Sequence, residues 1–124
     1  MIYAIDVELK QGDSKQAKRG ESASYVVTLT NRGDNADTFG IEVGDLPKDW
    51  SASASISEIY LEPDDWQEFT MEVIVPDTAA VDEYAMIQII ARVQEEDYDY
   101  IYGYGNTNTT VEDGRTYGVD IVAD

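Results

Sequence analysis

The stretch from Tyr25 to Trp50 reads YVVTLTNRGDNADTFGIEVGDLPKDW. At its start Tyr25, Val27 and Leu29, with Ala23 just before them, alternate with Ser24, Val26, Thr28 and Thr30. A period of two puts each set on one face of a pleated strand. Asn31-Arg32-Gly33-Asp34-Asn35 then supplies residues that tolerate positive φ or bond their own backbone, so the chain turns there. It returns with Phe39, Ile41 and Val43 inward and Thr38, Gly40 and Glu42 outward. Two half-buried strands joined in this way make either a hairpin or a corner between two sheets. Asn31 and Asp37 are expected to bond loop backbone groups. Trp50 is expected to plug the core, its burial contributing roughly 1.5–3 kcal/mol.

The same alternation recurs outward from this stretch. Ile5, Val7 and Leu9 face one way and Asp6 and Glu8 the other. Residues 11–21, with Lys15, Lys18 and Arg19, suit an edge segment, because lysine blunts an exposed sheet edge. Trp50, Ala52, Ala54 and Ile56 alternate with Ser51, Ser53, Ser55 and Ser57. Ile59 and Leu61 form a short strand, followed by a Glu62-Pro63-Asp64-Asp65 turn with proline at its second position. Phe69, Met71 and Val73 face inward next, and Pro76 ends that run. Residues 84–93 (YAMIQIIARV) fit a central strand with Ala85, Ile87, Ile89, Ala91 and Val93 inward. A helix also fits their spacing, but the β-branched content and the β-rich surroundings favour a strand. Tyr98, Tyr100, Tyr102 and Tyr104 share a face if extended, and Thr107, Thr109 and Val111 suggest a last strand. Turn signals at short intervals predict an all-β, Ig-like antiparallel β-sandwich of about seven strands. Its core would hold Tyr25, Val27, Leu29, Phe39, Ile41, Trp50, Phe69, Met71, Val73, Ile87 and Ile89.

With 124 residues, 43% of them apolar, the chain suits one domain. Its net charge of −18 argues against nucleic acid and against anionic membrane surfaces. The acidity suits a solvated surface in high salt or at an exposed location. Divalent cations and a basic partner are the competing explanations. There is no cysteine and no histidine, which removes thiol chemistry, thiolate metal sites and the commonest general base. No apolar run is long enough to insert directly into a membrane, and residues 1–20 are too polar for a signal peptide. A surface location would therefore make the chain a piece of a longer protein.

From Tyr25 to Trp50 the motifs Y-x-V-x-L-x-N-x-G, Asp37-x-Phe39 and Leu46-Pro47-x-x-Trp50 resemble the NPCBM-associated and CARDB-like Ig-like modules. Leu61-x-Pro63 and Val75-Pro76 continue the resemblance, which covers about residues 20–94. Those modules are accessory domains of bacterial and archaeal surface and secreted proteins. The resemblance implies an Ig-like sandwich and a non-catalytic role, often in tandem arrays or beside sugar-active enzymes, and carries over no catalytic residue. Asp64-Asp65 stands where the family has a glycine-rich turn, and the tyrosine-rich stretch after Arg92 departs from the pattern.

Three kinds of site can be drawn from the residues. Tyr98, Tyr100, Tyr102 and Tyr104 could offer flat faces to sugar rings, or simply stiffen a hairpin as a cross-strand ladder. Acidic loops carrying Asp34, Asp37, Asp64, Asp65, Asp97 and Asp99 could hold calcium, which wants six to eight hard oxygens, although none has the EF-hand spacing. Calcium is the one cofactor these residues suggest. Asn108-Thr109-Thr110 is an N-glycosylation sequon. No pair of carboxylates stands out for acid–base hydrolysis, and no enzyme is expected.

The expected function is a non-catalytic extracellular structural or adhesive module, one repeat of a tandem array in an anchored or secreted protein. The alternative is an accessory module that binds carbohydrate or a surface protein, with or without calcium. Residues 1–115 would form the module. Residues 116–124 would be a linker or the first strand of a following repeat, since Tyr117-Gly118-Val119-Asp120-Ile121 echoes Tyr3-Ala4-Ile5-Asp6-Val7. Its partners would be neighbouring modules of the same polypeptide, and an unpaired terminal strand could also drive a strand-mediated dimer.

The charge gives a first test. Eighteen excess negative charges repel one another more in the compact state than in the expanded chain. The Debye length falls from about 10 Å at 0.1 M salt to about 3 Å at 1 M. The melting temperature should therefore rise with potassium chloride across that range. A flat or falling melting temperature would mean that the carboxylates do not repel one another appreciably.

Overall fold

The structure, a computed structural model, describes residues 4–94 and 102–112. Nine strands run through them: β1 (Ile5–Leu9), β2 (Ser14–Ala17), β3 (Ser22–Asn31), β4 (Asp37–Val43), β5 (Ser51–Ala54), β6 (Glu58–Leu61), β7 (Trp66–Ile74), β8 (Tyr84–Val93) and β9 (Tyr102–Val111). They form a four-stranded sheet in the order β1-β3-β7-β5 and a five-stranded sheet in the order β2-β9-β8-β4-β6. Residues 84–93 are thus a strand between two others, and no helix occurs among the described residues. Tyr3, the stretch with Asp97, Tyr98, Asp99 and Tyr100, and the segment 116–124 lie outside them.

From β1 to β8 every connection carries the chain from one sheet to the other, and only β8 and β9 are consecutive strands paired side by side. The Asn31–Asn35 turn is therefore a corner between sheets, not a hairpin. Each strand's apolar set then meets apolar sets from the opposite sheet. Tyr25, Val27, Leu29, Phe39, Trp50, Phe69, Met71, Val73, Ile87 and Ile89 are all buried, and Ile41 packs against them half-buried. All the pairings among the described strands are antiparallel except one. The lysine-bearing edge strand β2 lies parallel to β9, with Ser14 opposite Asn108 and Ala17 opposite Val111.

Two buried polar side chains tie β3 to the other sheet. Near its start the Tyr25 hydroxyl reaches β9, donating to the Asn108 carbonyl at 2.9 Å and lying 2.8 Å from Thr109 Oγ1. Burial pushes the phenol pKa up, which keeps it a neutral hydrogen-bonding group. At the end of β3, Asn31 Nδ2 donates to Asn35 O at 2.9 Å and to Leu61 O on β6 at 3.0 Å, while its Oδ1 accepts from Gly33 N–H at 2.8 Å. Its backbone N–H donates to Asp65 O, and its carbonyl accepts from Asp64 N–H. The Glu62–Asp65 turn closes with an Asp65 N–H to Glu62 O bond, and Asp64 takes φ 68° just after the proline. That is the type II pattern, with positive φ at the third position.

A third anchor holds Trp50. The turn before it closes by Trp50 N–H donating to Pro47 O, with Asp49 at φ 68°. The buried indole donates through Nε1 to Glu83 Oε2 at 3.1 Å, and Ala80 N–H donates to Glu83 Oε1 at 3.0 Å. Donation first by Ala80 N–H and then by the Trp50 indole holds the Glu83 carboxyl below its ordinary value of 4.5.

Two of these three anchors can be measured. Tyr25→Phe keeps the ring and removes the hydroxyl, leaving buried Thr109 Oγ1 without this partner, and should cost about 1–3 kcal/mol by denaturant unfolding at unchanged m-value. A loss well below about 0.5 kcal/mol would show that the tie contributes little. Glu83 has its pKa depressed on folding, so its contribution is present above the unfolded value and is lost as pH falls through the folded value. Glu83→Gln should lower the melting temperature at neutral pH, and the gap from the parent should close as the pH drops below the ordinary carboxylate range. A gap that stays constant across that range would contradict this.

Candidate functional site on the outer face of the five-stranded sheet

Strands β8 and β9 run antiparallel with Arg92 opposite Tyr102, Ile90 opposite Tyr104, Met86 opposite Asn108 and Tyr84 opposite Thr110. Those pairs lie on the solvent side, because the alternate residues Ala85, Ile87, Ile89, Ala91 and Val93 are buried. Tyr84, Met86, Tyr102 and Tyr104 are each more than half exposed, and Tyr60 of the edge strand β6 joins the same face at 63%. The rings of Tyr102 and Tyr104 lie 6.4 Å apart and are tilted by 36°. The Arg92 guanidinium sits 5.1 Å from the centre of the Tyr102 ring and meets Glu42 of β4 at 3.2 Å.

Charge sets this face apart from the rest of the surface. The ten-residue strands β8 and β9 together contain one charged residue, Arg92, and no carboxylate. The outer side of the other sheet carries Asp6, Glu8, Glu68 and Glu72. In a chain with 26 acidic residues, these two adjacent strands thus carry no carboxylate and are rich in aromatic side chains, and Glu42 of β4 and Glu58 of β6 flank them on the same face. Few charges and several tyrosines are features that the centres of protein contacts favour.

The tyrosines point outward for a packing reason. In Tyr102-Gly103-Tyr104-Gly105 the glycines face β1 of the opposite sheet, which closes down on them. A Cβ on Gly103 would lie 3.1 Å from the Ile5 carbonyl oxygen, and one on Gly105 would run into Leu9 Cδ2. No bulky residue fits on the inner side of β9 at that point, so the large rings take the outer side.

The acidic candidates fall elsewhere. The Asn31 bonds draw the loop of Asp34 and Asp37 and the turn of Asp64 and Asp65 to the same end of the sandwich. Asp37 is buried, and its Oδ1 accepts from Thr38 N–H at 2.7 Å. Asp65 Oδ1 accepts from Trp66 N–H at 3.0 Å, and Asp34 and Asp64 are exposed. Among the described residues no three acidic side chains gather closely enough to hold a metal ion. The sequon residue Asn108 lies in mid-strand between β2 and β8 and not in a loop; its Oδ1 is buried. Of the four tyrosines, Tyr102 and Tyr104 stand together on the face, while Tyr98 and Tyr100 lie outside the described residues. Sequence reasoning missed Tyr60, Tyr84, Met86 and Arg92, which reach the face from β6 and β8. On β8 the signal was present as the outward half of the alternation.

The outer side of the four-stranded sheet has a shallow groove of about 200 Å³ lined by Ser24, Ser53, Ala54, Ser55, Thr70 and Glu72. It falls below the ~300 Å³ lower range of ligand pockets. Its one carboxylate, Glu72, accepts from the Ser22 hydroxyl at 3.0 Å.

The chain matches no protein-family model, and no curated protein matches it. Among solved structures it is similar to a FixG-related protein from Vibrio parahaemolyticus, at 15% identity and TM-score 0.62, over 88% of this chain and 95% of that one. The ASH/PapD-like domain of human CEP192 is similar at 11% identity and TM-score 0.54, over 90% of this chain and 86% of that one. A family 123 glycoside hydrolase from Clostridium perfringens is similar at 7% identity and TM-score 0.63, over 87% of this chain but 27% of the hydrolase. These likenesses establish the fold, an Ig-like, PapD-like β-sandwich, and nothing finer.

The tyrosine–glycine alternation can be tested directly. Gly105→Val forces a branched side chain among Leu9, Val7 and Ile89, more than a shift of the Leu9 side chain can absorb, and should destabilise the chain by about 1–3 kcal/mol, while Asn106→Ala on the outer side should change stability by no more than about 0.5 kcal/mol. Equal effects would mean that β1 does not close on β9 as described.

Proposed function

We propose that the chain is a non-catalytic structural and adhesive module of an extracellular or cell-surface protein, one repeat of a tandem array. Its contacts run through the outer face of the five-stranded sheet. The observation that carries this reading is the pair of strands β8 and β9 on that face, aromatic and without a carboxylate on a chain of net charge −18. Exposed tyrosine and methionine clustered on one face are costly to leave in water unless they meet a partner. The absence of histidine and cysteine, and a groove with one exposed carboxylate, favour contact over chemistry. The hydrolase, in which a similar sandwich is about a quarter of the chain, offers a precedent for this fold as one unit among others. The resemblance of the Tyr25–Trp50 motifs to the NPCBM-associated and CARDB-like Ig-like modules supports this reading.

A second reading is favoured by the Tyr102–Tyr104 pair with Arg92 beside it. Two tilted rings 6.4 Å apart, with the amides of Gln88 and Asn106 in the neighbouring cross-strand pair, could hold a neutral sugar chain by stacking and hydrogen bonds.

One adhesion assay tests the proposal and separates the two readings. Beads coated with the chain are mixed with isolated cell envelopes and, separately, with arrayed neutral oligosaccharides. Retention on envelopes should fall at least about tenfold, roughly 1.4 kcal/mol, when Tyr102 and Tyr104 become serine. The same substitutions should leave the melting temperature nearly unchanged, because both side chains are exposed. Retention that is indifferent to them would overturn the role of this face. Tyrosine-dependent retention on an oligosaccharide would favour the second reading.

A further inference from the structure

We propose that the partner of this face is the same face of a second copy of the chain. The inference rests on the reading that the outer face of the five-stranded sheet makes the adhesive contacts, and it names their occupant.

Two chains of net charge −18 repel each other, and a carboxylate at the centre of a two-fold contact would meet its own counterpart across the axis. A face meant for a basic partner would gather carboxylates, and one meant for an anionic partner would gather several cations. Strands β8 and β9 do neither, with Arg92 their one charged residue. Arg92 is already matched by Glu42 at 3.2 Å, so the face meets its partner with little net charge. Keeping carboxylates off two adjacent strands, with Glu42 at their border already held by Arg92, is the arrangement that lets two acidic bodies touch. The aromatic and thioether side chains then supply the contact: Tyr84, Met86, Tyr102 and Tyr104 stand out from adjacent strands and can interdigitate with their equivalents, as inner sheet faces do in a sandwich.

Geometry sets the strength. A ten-residue strand is about 33 Å long, and two neighbouring strands span about 10 Å, so β9 and β8 offer on the order of 300 Å². That is well under half the ~800 Å² per partner of a stable interface, which makes the contact weak and reversible. In an array, several such contacts in parallel would add through effective concentration.

The signature is the direction of the salt dependence. Association between like-charged copies strengthens as the Debye length shrinks from about 10 Å at 0.1 M to about 3 Å at 1 M. A contact built on opposite charges would weaken over the same range, and stacking on a neutral sugar would hardly change.

Sedimentation of the 124-residue chain at high protein concentration, in a potassium chloride series, tests this. The expected result is a dimer that grows with salt. Met86→Glu, which places a carboxylate on the face at a site 62% exposed, should weaken it at least tenfold. Thr70→Glu, at an exposed position on the outer side of the other sheet, should leave it intact. Melting curves should show both variants folded. A chain that stays monomeric at every salt concentration overturns the proposal. So does a dimer that ignores Met86→Glu, or one that Thr70→Glu abolishes equally. If the chain is monomeric yet still held on envelopes or on a neutral oligosaccharide such as cellohexaose through Tyr102 and Tyr104, the second-copy inference falls and the face reading stands. If those tyrosines matter to neither assay, both fall.

Discussion

Strand β3 is pinned at both ends to the sheet it does not belong to. Tyr25 reaches across to β9 and Asn31 across to β6, and both side chains are buried. A chain that changes sheets at nearly every connection has few neighbouring strands to hold it together locally. Its order depends on long-range contacts formed late, and loop closure must be offset before they stabilise anything. The two polar ties cannot be made by any other alignment of the sheets without leaving buried groups unsatisfied, which costs about 1–3 kcal/mol each. They convert a non-directional core of aliphatic side chains into one register.

The same closure shapes the outer surface. With β3 fixed, its neighbour β1 is fixed, and Ile5 and Leu9 press on β9 where Gly103 and Gly105 leave room. The large side chains of that segment are left to the solvent side. What reads along the chain as a tyrosine repeat is therefore half a packing device and half an exposed face. The adhesive role drawn from it depends on what the surface carries, not on the fold. Sandwiches of this kind serve proteins as unlike as the hydrolase and the human domain it resembles.

Much of this was legible from period-two alternation, because a strand with one buried face writes its core into every second residue. The inward sets from Tyr25 to Leu29 and from Ala85 to Val93 are buried as that pattern predicts. The proline turn at Glu62–Asp65 was legible from its residue types, and so was the backbone bonding of Asn31 and Asp37. Alternation says nothing about partners, so the corner at Asn31–Asn35 could equally have been a hairpin, and the parallel pairing of β2 with β9 had no local mark. The Trp50–Glu83 bond joins residues whose meeting no spacing encodes. The candidate face was half visible: Tyr102 and Tyr104 announced themselves, whereas Tyr60 and Tyr84 join them only once β6 and β8 take their places in the sheet.

Native-state amide hydrogen exchange along β3 tests the central claim most directly. If its cross-sheet ties hold the sandwich together, the paired amides from Ala23 to Thr30, and those of β7 opposite them, should exchange only by global unfolding. Their free energies should match the one from denaturant unfolding, and Asn31→Ala should lower all of them together. If β3 instead exchanges through local opening, well below the global value, or if Asn31→Ala affects only the nearby loops, the ties are local decoration and the sandwich is held by its core alone.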